Sequence, residues 1–264
     1  VEKMKRVLLL AFAVFMVLPI VSIAVYSLGR GWFGARFLPE SLSLAWYRWA
    51  LTVTDLPLVI ANTVAIAGLA IAVTFAVALP AAWFLGRTKM RGRAPLMAFL
   101  LFPRLMPPIT YAVGLARIFY ASGLSDTHLG VGLAHVVLTL PYALLLLTMT
   151  FEGIDERVVE AARACGASGW LLFRRILLPL ARPGLLAALF LAFTTSYNEF
   201  TLTIMTYGPR TVTLPVMTYL TIGDGFWEVS SALCVILLLP TSLLLAFVVR
   251  QMARGRLTGG LKGL

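Results

Sequence analysis

Residues 58–86 read LVIANTVAIAGLAIAVTFAVALPAAWFLG, without a single Asp, Glu, Lys or Arg. About 20 apolar residues suffice to cross the hydrocarbon core of a bilayer as a helix, so this run reads as a membrane span. Three more stretches, 7–28, 129–151 and 229–249, are equally free of acidic and basic residues, and 184–206 contains only Glu199. A sixth span, 94–119, carries Arg104 and Arg117 and is interrupted by Pro103, Pro107 and Pro108. The composition agrees: 60% of the 264 residues are hydrophobic and only 12% charged, with a mean hydropathy of +0.93. A water-soluble domain carries about 25% charged residues. The expected class is an all-α membrane protein with six transmembrane helices in one domain over 1–264.

The net charge of +11 is mostly orientation. With six spans both termini lie on one side. That side holds 16 Lys and Arg: Lys3, Lys5, Arg6, Arg87, Lys89, Arg91, Arg93, Arg157, Arg163, Arg174, Arg175, Arg182, Arg250, Arg254, Arg256 and Lys262. The other has Arg30, Arg36, Arg48 and Arg210, while acidic residues divide evenly. Basic residues mark the cytoplasmic side, so both termini are expected in the cytoplasm, and a nucleic-acid partner is not. Trp32, Trp46, Trp49 and Trp227 fall at outer interfaces, Trp83 and Trp170 near inner ones, as an aromatic belt requires. The first apolar run is too long for a signal core and no A-x-A site follows it, so it reads as a retained anchor. Residues 32–51 mix aromatics with charge and are expected along the outer surface; 211–222 are apolar but too short to cross. Two cysteines, Cys165 and Cys234, make no disulfide framework.

Prolines punctuate the spans at 19, 80, 103, 107, 108, 141 and 240, each removing a helical hydrogen bond and favouring a kink. Polar residues concentrate in the fifth span: Thr194, Thr195, Ser196, Tyr197, Asn198, Glu199, Thr201 and Thr203. Thr195, Asn198, Glu199 and Leu202 follow i, i+3, i+4, i+7 spacing and are expected to share one helical face. A carboxylate at that depth must face a cavity or a partner. Arg104 in the third span has three readings: snorkelling or paired with protein, paired with Glu199, or touching an anionic solute. No catalytic constellation and no metal-ligand cluster is found. No Gly-Lys pair exists for a phosphate-binding loop, and His128 and His135 read as packing or hydrogen-bonding residues.

The longest cytoplasmic segment, 152–183, reads EGIDERVVEAARACGASGWLLFRRILLPLARP. Ile154, Val158, Ala161, Ala162 and Cys165 recur at helical spacing among charged residues, predicting a short amphipathic helix. Gly166 and Gly169 are expected to break it, Ser168 to cap a second helix, and Pro179 and Pro183 to end that one. One apolar face would project into the cytosol and need a partner; the alternative is a helix lying on lipid headgroups.

This segment resembles the EAA loop of the membrane subunits of binding-protein-dependent ABC importers. The resemblance rests on Glu160, Ala161 and Ala162, then three residues, Gly166, nine residues, Ile176, one residue, and Leu178 with Pro179. It extends to the six spans and the inside termini. It implies a type I importer permease fold in the cytoplasmic (inner) membrane of a bacterium or archaeon. The loop would be a coupling helix seated on a separate ATPase subunit, which carries the ATP and magnesium; this chain would be no enzyme and hold no cofactor. The further partners implied are a second ATPase copy, a second permease subunit (identical or homologous), and an extracytoplasmic solute-binding protein. Residues 196–219, SYNEFTLTIMTYGPRTVTLPVMTY, resemble the same region of spermidine/putrescine permeases, whose relatives serve opines, aminoethylphosphonate, iron and thiamine. The cargo implied first is therefore a polyamine, moved by alternating access. Glu199 then reads either as a gate or structural residue or as a substrate contact, with Thr195, Asn198 and Arg104 beside the pathway. An ATP-independent channel or secondary transporter is the rival of another class, and it would not need the EAA loop.

Overall fold

The computed structural model describes residues 2–32, 38–88 and 90–253. Arg36, Lys89, Arg254, Arg256 and Lys262, used above in assigning sides, lie outside the described residues. The helices are α1 (Glu2–Leu28), α2 (Ala45–Val53), α3 (Leu56–Arg87), α4 (Arg93–Leu105), α5 (Pro108–Ala121) and α6 (His128–Glu152). They continue as α7 (Glu156–Ala164), α8 (Gly169–Leu180), α9 (Arg182–Tyr197), α10 (Thr203–Thr206), α11 (Leu214–Gly223) and α12 (Trp227–Ala253). Two short strands, β1 (Gly29–Arg30) and β2 (Ser41–Leu42), pair antiparallel, Gly29 opposite Leu42.

Four helices, α1, α3, α6 and α12, are long and apolar enough to cross a membrane alone. The bent pairs α4–α5 and α8–α9 pass the same test of length and composition together, so the spans number up to six if each pair is one. The break expected at the proline cluster of the third span is present: α4 and α5 meet at 94°. Met106 is extended and Pro107 precedes Pro108, and a residue before proline is driven out of the helical region. By contrast α1, α3, α6 and α12 run on through Pro19, Pro80, Pro141 and Pro240. The fifth span does not reach residue 206, because α9 ends at Tyr197.

The chain forms two compact units. In the first, Val1–Ala61 with Val212–Pro240, a core of Ala50, Leu56, Val59, Leu214, Val229 and Leu233 is flanked by Trp46 and Trp49. Trp46 Nε1 donates to Gly29 O at 2.8 Å, fixing α2 against the hairpin.

In the second, Asn62–Thr211 with Thr241–Leu264, the largest core joins Ala78, Ala82 and Leu85 of α3 to Leu144, Leu147 and Phe151 of α6. Val159 of α7 and Leu172 and Leu177 of α8 complete it. Helices α7 and α8 are thereby seated on the ends of α3 and α6. Small residues let helices approach: a Cβ on Gly184 of α9 would collide with the Thr150 side chain of α6.

Candidate functional site

The segment 152–183 begins where Asp155 caps α7, its side chain accepting from Arg157 N at 2.9 Å. α7 stops at Cys165 because Gly166 takes φ +81°, a left-handed conformation that glycine adopts without a Cβ clash. Ser168 accepts from Leu171 N at 3.3 Å and caps α8 as expected. Gly169 does not break the helix; it starts it. Nor does Pro179 end it: α8 runs to Leu180 through a π-turn at Phe173–Leu177, where Leu178 N reaches back to Phe173 O. The wide turn loosens the backbone just where proline cannot donate. α8 meets α9 at 72°, with Pro183 in the first turn of α9.

The apolar positions of α7 do not form one face. Val159 is buried and Ile154 and Ala162 pack beside it, whereas Val158, Ala161 and Cys165 are exposed. Val159 has no place in the period expected above, which followed its neighbour Val158. Glu160 and Gly166 are also exposed; Ile176, Leu178 and Pro179 are half-buried. Trp170 is 68% exposed, and Arg174 and Arg175 are exposed as well. At the C-terminal end of α3, Arg87 Nε and Nη2 are buried without a hydrogen-bond partner among the described residues, within electrostatic reach of Glu156 and Arg163.

After Tyr197 the chain turns. Thr195 stays half-buried on α9, but Asn198 is exposed and turns back, its Nδ2 donating to Thr194 O at 2.9 Å. Thr195, Asn198, Glu199 and Leu202 therefore do not share a helical face. Glu199 is buried. Its carboxylate accepts from Leu202 N (2.9 Å), Thr203 N (2.9 Å) and Thr203 Oγ1 (2.8 Å), which starts α10. His135 of α6 completes the cluster, with Nε2 2.8 Å from Thr203 Oγ1 and 3.5 Å from Glu199 Oε2, and Nδ1 2.7 Å from Ser196 Oγ. Because the Thr203 hydroxyl donates to Glu199, it accepts from His135 Nε2–H. Glu199 is thus a buried capping residue whose carboxylate already holds three donors.

Arg104, in the last turn of α4, does not pair with Glu199. Nη2 donates to Tyr142 Oη of α6 at 2.9 Å, and the guanidinium carbon stands 4.4 Å from that ring's centroid. The ring face attracts a cation, and the C-terminal end of α4 adds roughly 0.3–1 kcal/mol. Among the described residues no carboxylate accepts from Arg104. Tyr142 is a partner that local patterning does not reveal, since it lies on another helix.

Outside the spans, Asp126 clasps the segment after α10. Its carboxylate accepts from Arg210 N (3.0 Å), Arg210 Nε (3.3 Å) and Thr211 Oγ1 (3.0 Å). Burial works to raise its pKa, but the bonds from Thr211 and Arg210 outweigh it and hold the carboxyl below its ordinary value. Asn62 Nδ2 donates to Arg210 O at 3.0 Å, and Asn62 Oδ1 lies 2.8 Å from His128 Nε2.

Residues 78–257 match the family described as "Binding-protein-dependent transport system inner membrane component", a stretch that includes the EAA-like segment, Arg104 and Glu199. The chain is 31% identical over 230 residues to the sulfoquinovosyl glycerol transport system permease protein SmoH of Agrobacterium fabrum, covering 86% of this chain and 81% of that one. It is 28% identical over 252 residues to the spermidine/putrescine transport system permease protein PotC of Escherichia coli K12, covering 94% and 93%. Among solved structures, a chain of a bacterial ABC transporter involved in the import of the acidic polysaccharide alginate superposes with a TM-score of 0.75 at 21% identity. The superposition covers 94% of this chain and 95% of that one. The apolar spans, the placement of the EAA-like segment and these likenesses agree: the chain belongs to the family of inner-membrane permease components of binding-protein-dependent ABC transporters.

Proposed function

We propose that the chain is one permease subunit of an ATP-driven importer in a bacterial or archaeal inner membrane, its two compact units serving as a single transmembrane domain. It pairs with a second permease, identical or homologous. Two copies of a separate ATPase subunit, which carry the ATP and magnesium, bind on the cytoplasmic side, and a solute-binding protein docks outside. The observation that carries this reading is the build of 152–183. Ala161, Gly166 and Trp170 face outward while Val159, Leu172 and Leu177 of the same segment are held in the core of α3 and α6. A push on the outer face therefore reaches the spans, as alternating access requires. Glu160, Ala161, Ala162, Gly166, Ile176, Leu178 and Pro179 are the coupling residues.

For the cargo, the likeness to PotC supports a polyamine. A second reading, a solute bearing a phosphonate or carboxylate group, is favoured by the geometry at Arg104 and by the prior engagement of Glu199. The test is uptake by proteoliposomes holding the copurified complex and its binding protein, offered labelled spermidine or labelled aminoethylphosphonate with and without ATP. ATP-dependent uptake of either supports the importer, and which one enters decides between the cargoes. Uptake that ignores ATP returns the chain to the channel or secondary-transporter class.

A further inference from the structure

The recognition chemistry of the pathway can be read from α4 and α6, given the permease reading above. Arg93, at the start of α4, is ion-paired with Glu152, at the end of α6, so the two helices begin from a common level. At ~1.5 Å per residue, Arg104 stands ~17 Å along α4 from that pair and Tyr142 ~15 Å along α6. The two side chains thus meet at similar distances from the pair, well along both helices.

Three further observations converge there. The Arg104 guanidinium is fixed in orientation, by its bond to Tyr142 Oη and by the ring beneath it. Among the described residues its other N–H groups have no hydrogen-bond partner. Tyr111 Oη, within electrostatic reach of Arg104, is buried and has no partner among the described residues. Donors without acceptors, around a fixed cation, call for an anion.

We propose that Arg104, seated on Tyr142, is an oxyanion-recognising subsite of the solute path, which takes the carboxylate, phosphonate or sulfonate group of the transported molecule. The planar fork suits such groups because two N–H bonds can run parallel to two oxygens. Tyr111 supplies a third donor once the path opens to it.

The test is arginine labelling by phenylglyoxal in the copurified wild-type complex in nanodiscs, read by peptide mass spectrometry. The probes are methylphosphonate, acetate and putrescine at millimolar concentration, and Arg117, exposed in the same broken span, is the internal control. The expected result is that Arg104 is modified, that methylphosphonate or acetate slows its modification at least tenfold, and that putrescine does not. Arg117 keeps its rate throughout. In Tyr142→Phe the protection weakens severalfold. An Arg104 that never reacts, equal protection by putrescine, or equal protection of Arg117 overturns the subsite. So does protection that follows the phosphatidylglycerol content of the disc rather than the added anion, which would make the ligand a lipid headgroup. Loss of ATP dependence in the uptake assay would strike the importer reading, and it leaves the labelling pattern a separate result.

Discussion

The Glu199 carboxylate accepts both the backbone N–H and the hydroxyl of Thr203, at 2.9 and 2.8 Å. A carboxylate so engaged, and holding Leu202 N as well, is part of the fold. Removing it leaves two buried N–H groups without an acceptor, at about 1–3 kcal/mol each. Glu199→Ala is therefore expected to lower the melting temperature of the solubilised permease by several degrees, and Glu199→Gln, which keeps one acceptor oxygen, by less. Transport should fall in proportion for every solute. A Glu199→Gln variant of wild-type stability that loses only cationic cargo would make Glu199 a substrate contact instead.

Asp126 gives a pH dependence with a definite sign. Its folded pKa lies below the unfolded value of about 3.9. The stabilisation is therefore complete above pH ~4 and disappears as pH falls through the lower folded value. Asp126→Asn keeps a residue that tolerates the observed φ of +56° and removes only the charge. It should cost about 1–2 kcal/mol near neutrality. Melting curves of wild type and Asp126→Asn should converge below pH 4, and a constant gap across pH would show that the charge is not what holds the clasp.

The spans were legible because bilayer thickness fixes their length, so 58–86 needs no partner to be recognised. The triplet Pro103, Pro107 and Pro108 signalled a break, and the structure turned it into a 94° bend. What failed was periodicity carried past its helix. The i, i+3, i+4, i+7 face assumed that α9 continues through Asn198, whereas Asn198 folds back on Thr194 and Glu199 captures the N–H groups of Leu202 and Thr203. In α7 the apolar pattern merged two faces, since Val159 and Val158 are adjacent in sequence and opposed in burial. His135 and Tyr142 meet their partners at separations of 61 and 38 residues, beyond any local pattern.

Gly184 tests how closely α9 must approach α6. A Cβ there would run into Thr150, whose hydroxyl is bonded back to Leu146 O at 2.7 Å. Overpacking of this kind costs about 1–3 kcal/mol, so Gly184→Ala should be destabilising and Gly184→Val more so. Thr150→Ala makes room, and the double variant with Gly184→Ala should recover part of the loss. Strict additivity of the two melting shifts would mean that the residues do not meet.

Gly166 separates folding from coupling. Among the described residues nothing but its chain neighbours lies within 4 Å of a Cβ built there, so a side chain meets no obstacle among them. What remains within this subunit is the left-handed φ of +81°, worth about 1–2 kcal/mol against any L side chain. Gly166→Ala and Gly166→Leu should then be nearly equal in thermal stability and in membrane abundance. They should differ at the partner: a leucine occupies space that the proposed ATPase groove needs, whereas a single methyl is tolerated. Copurification of the ATPase subunit and solute-stimulated ATP hydrolysis are the readouts. Both should fall at least tenfold from Gly166→Ala to Gly166→Leu. Equal coupling in the two variants would place the docking surface elsewhere on 152–183, with Val158 and Trp170 the next side chains to truncate.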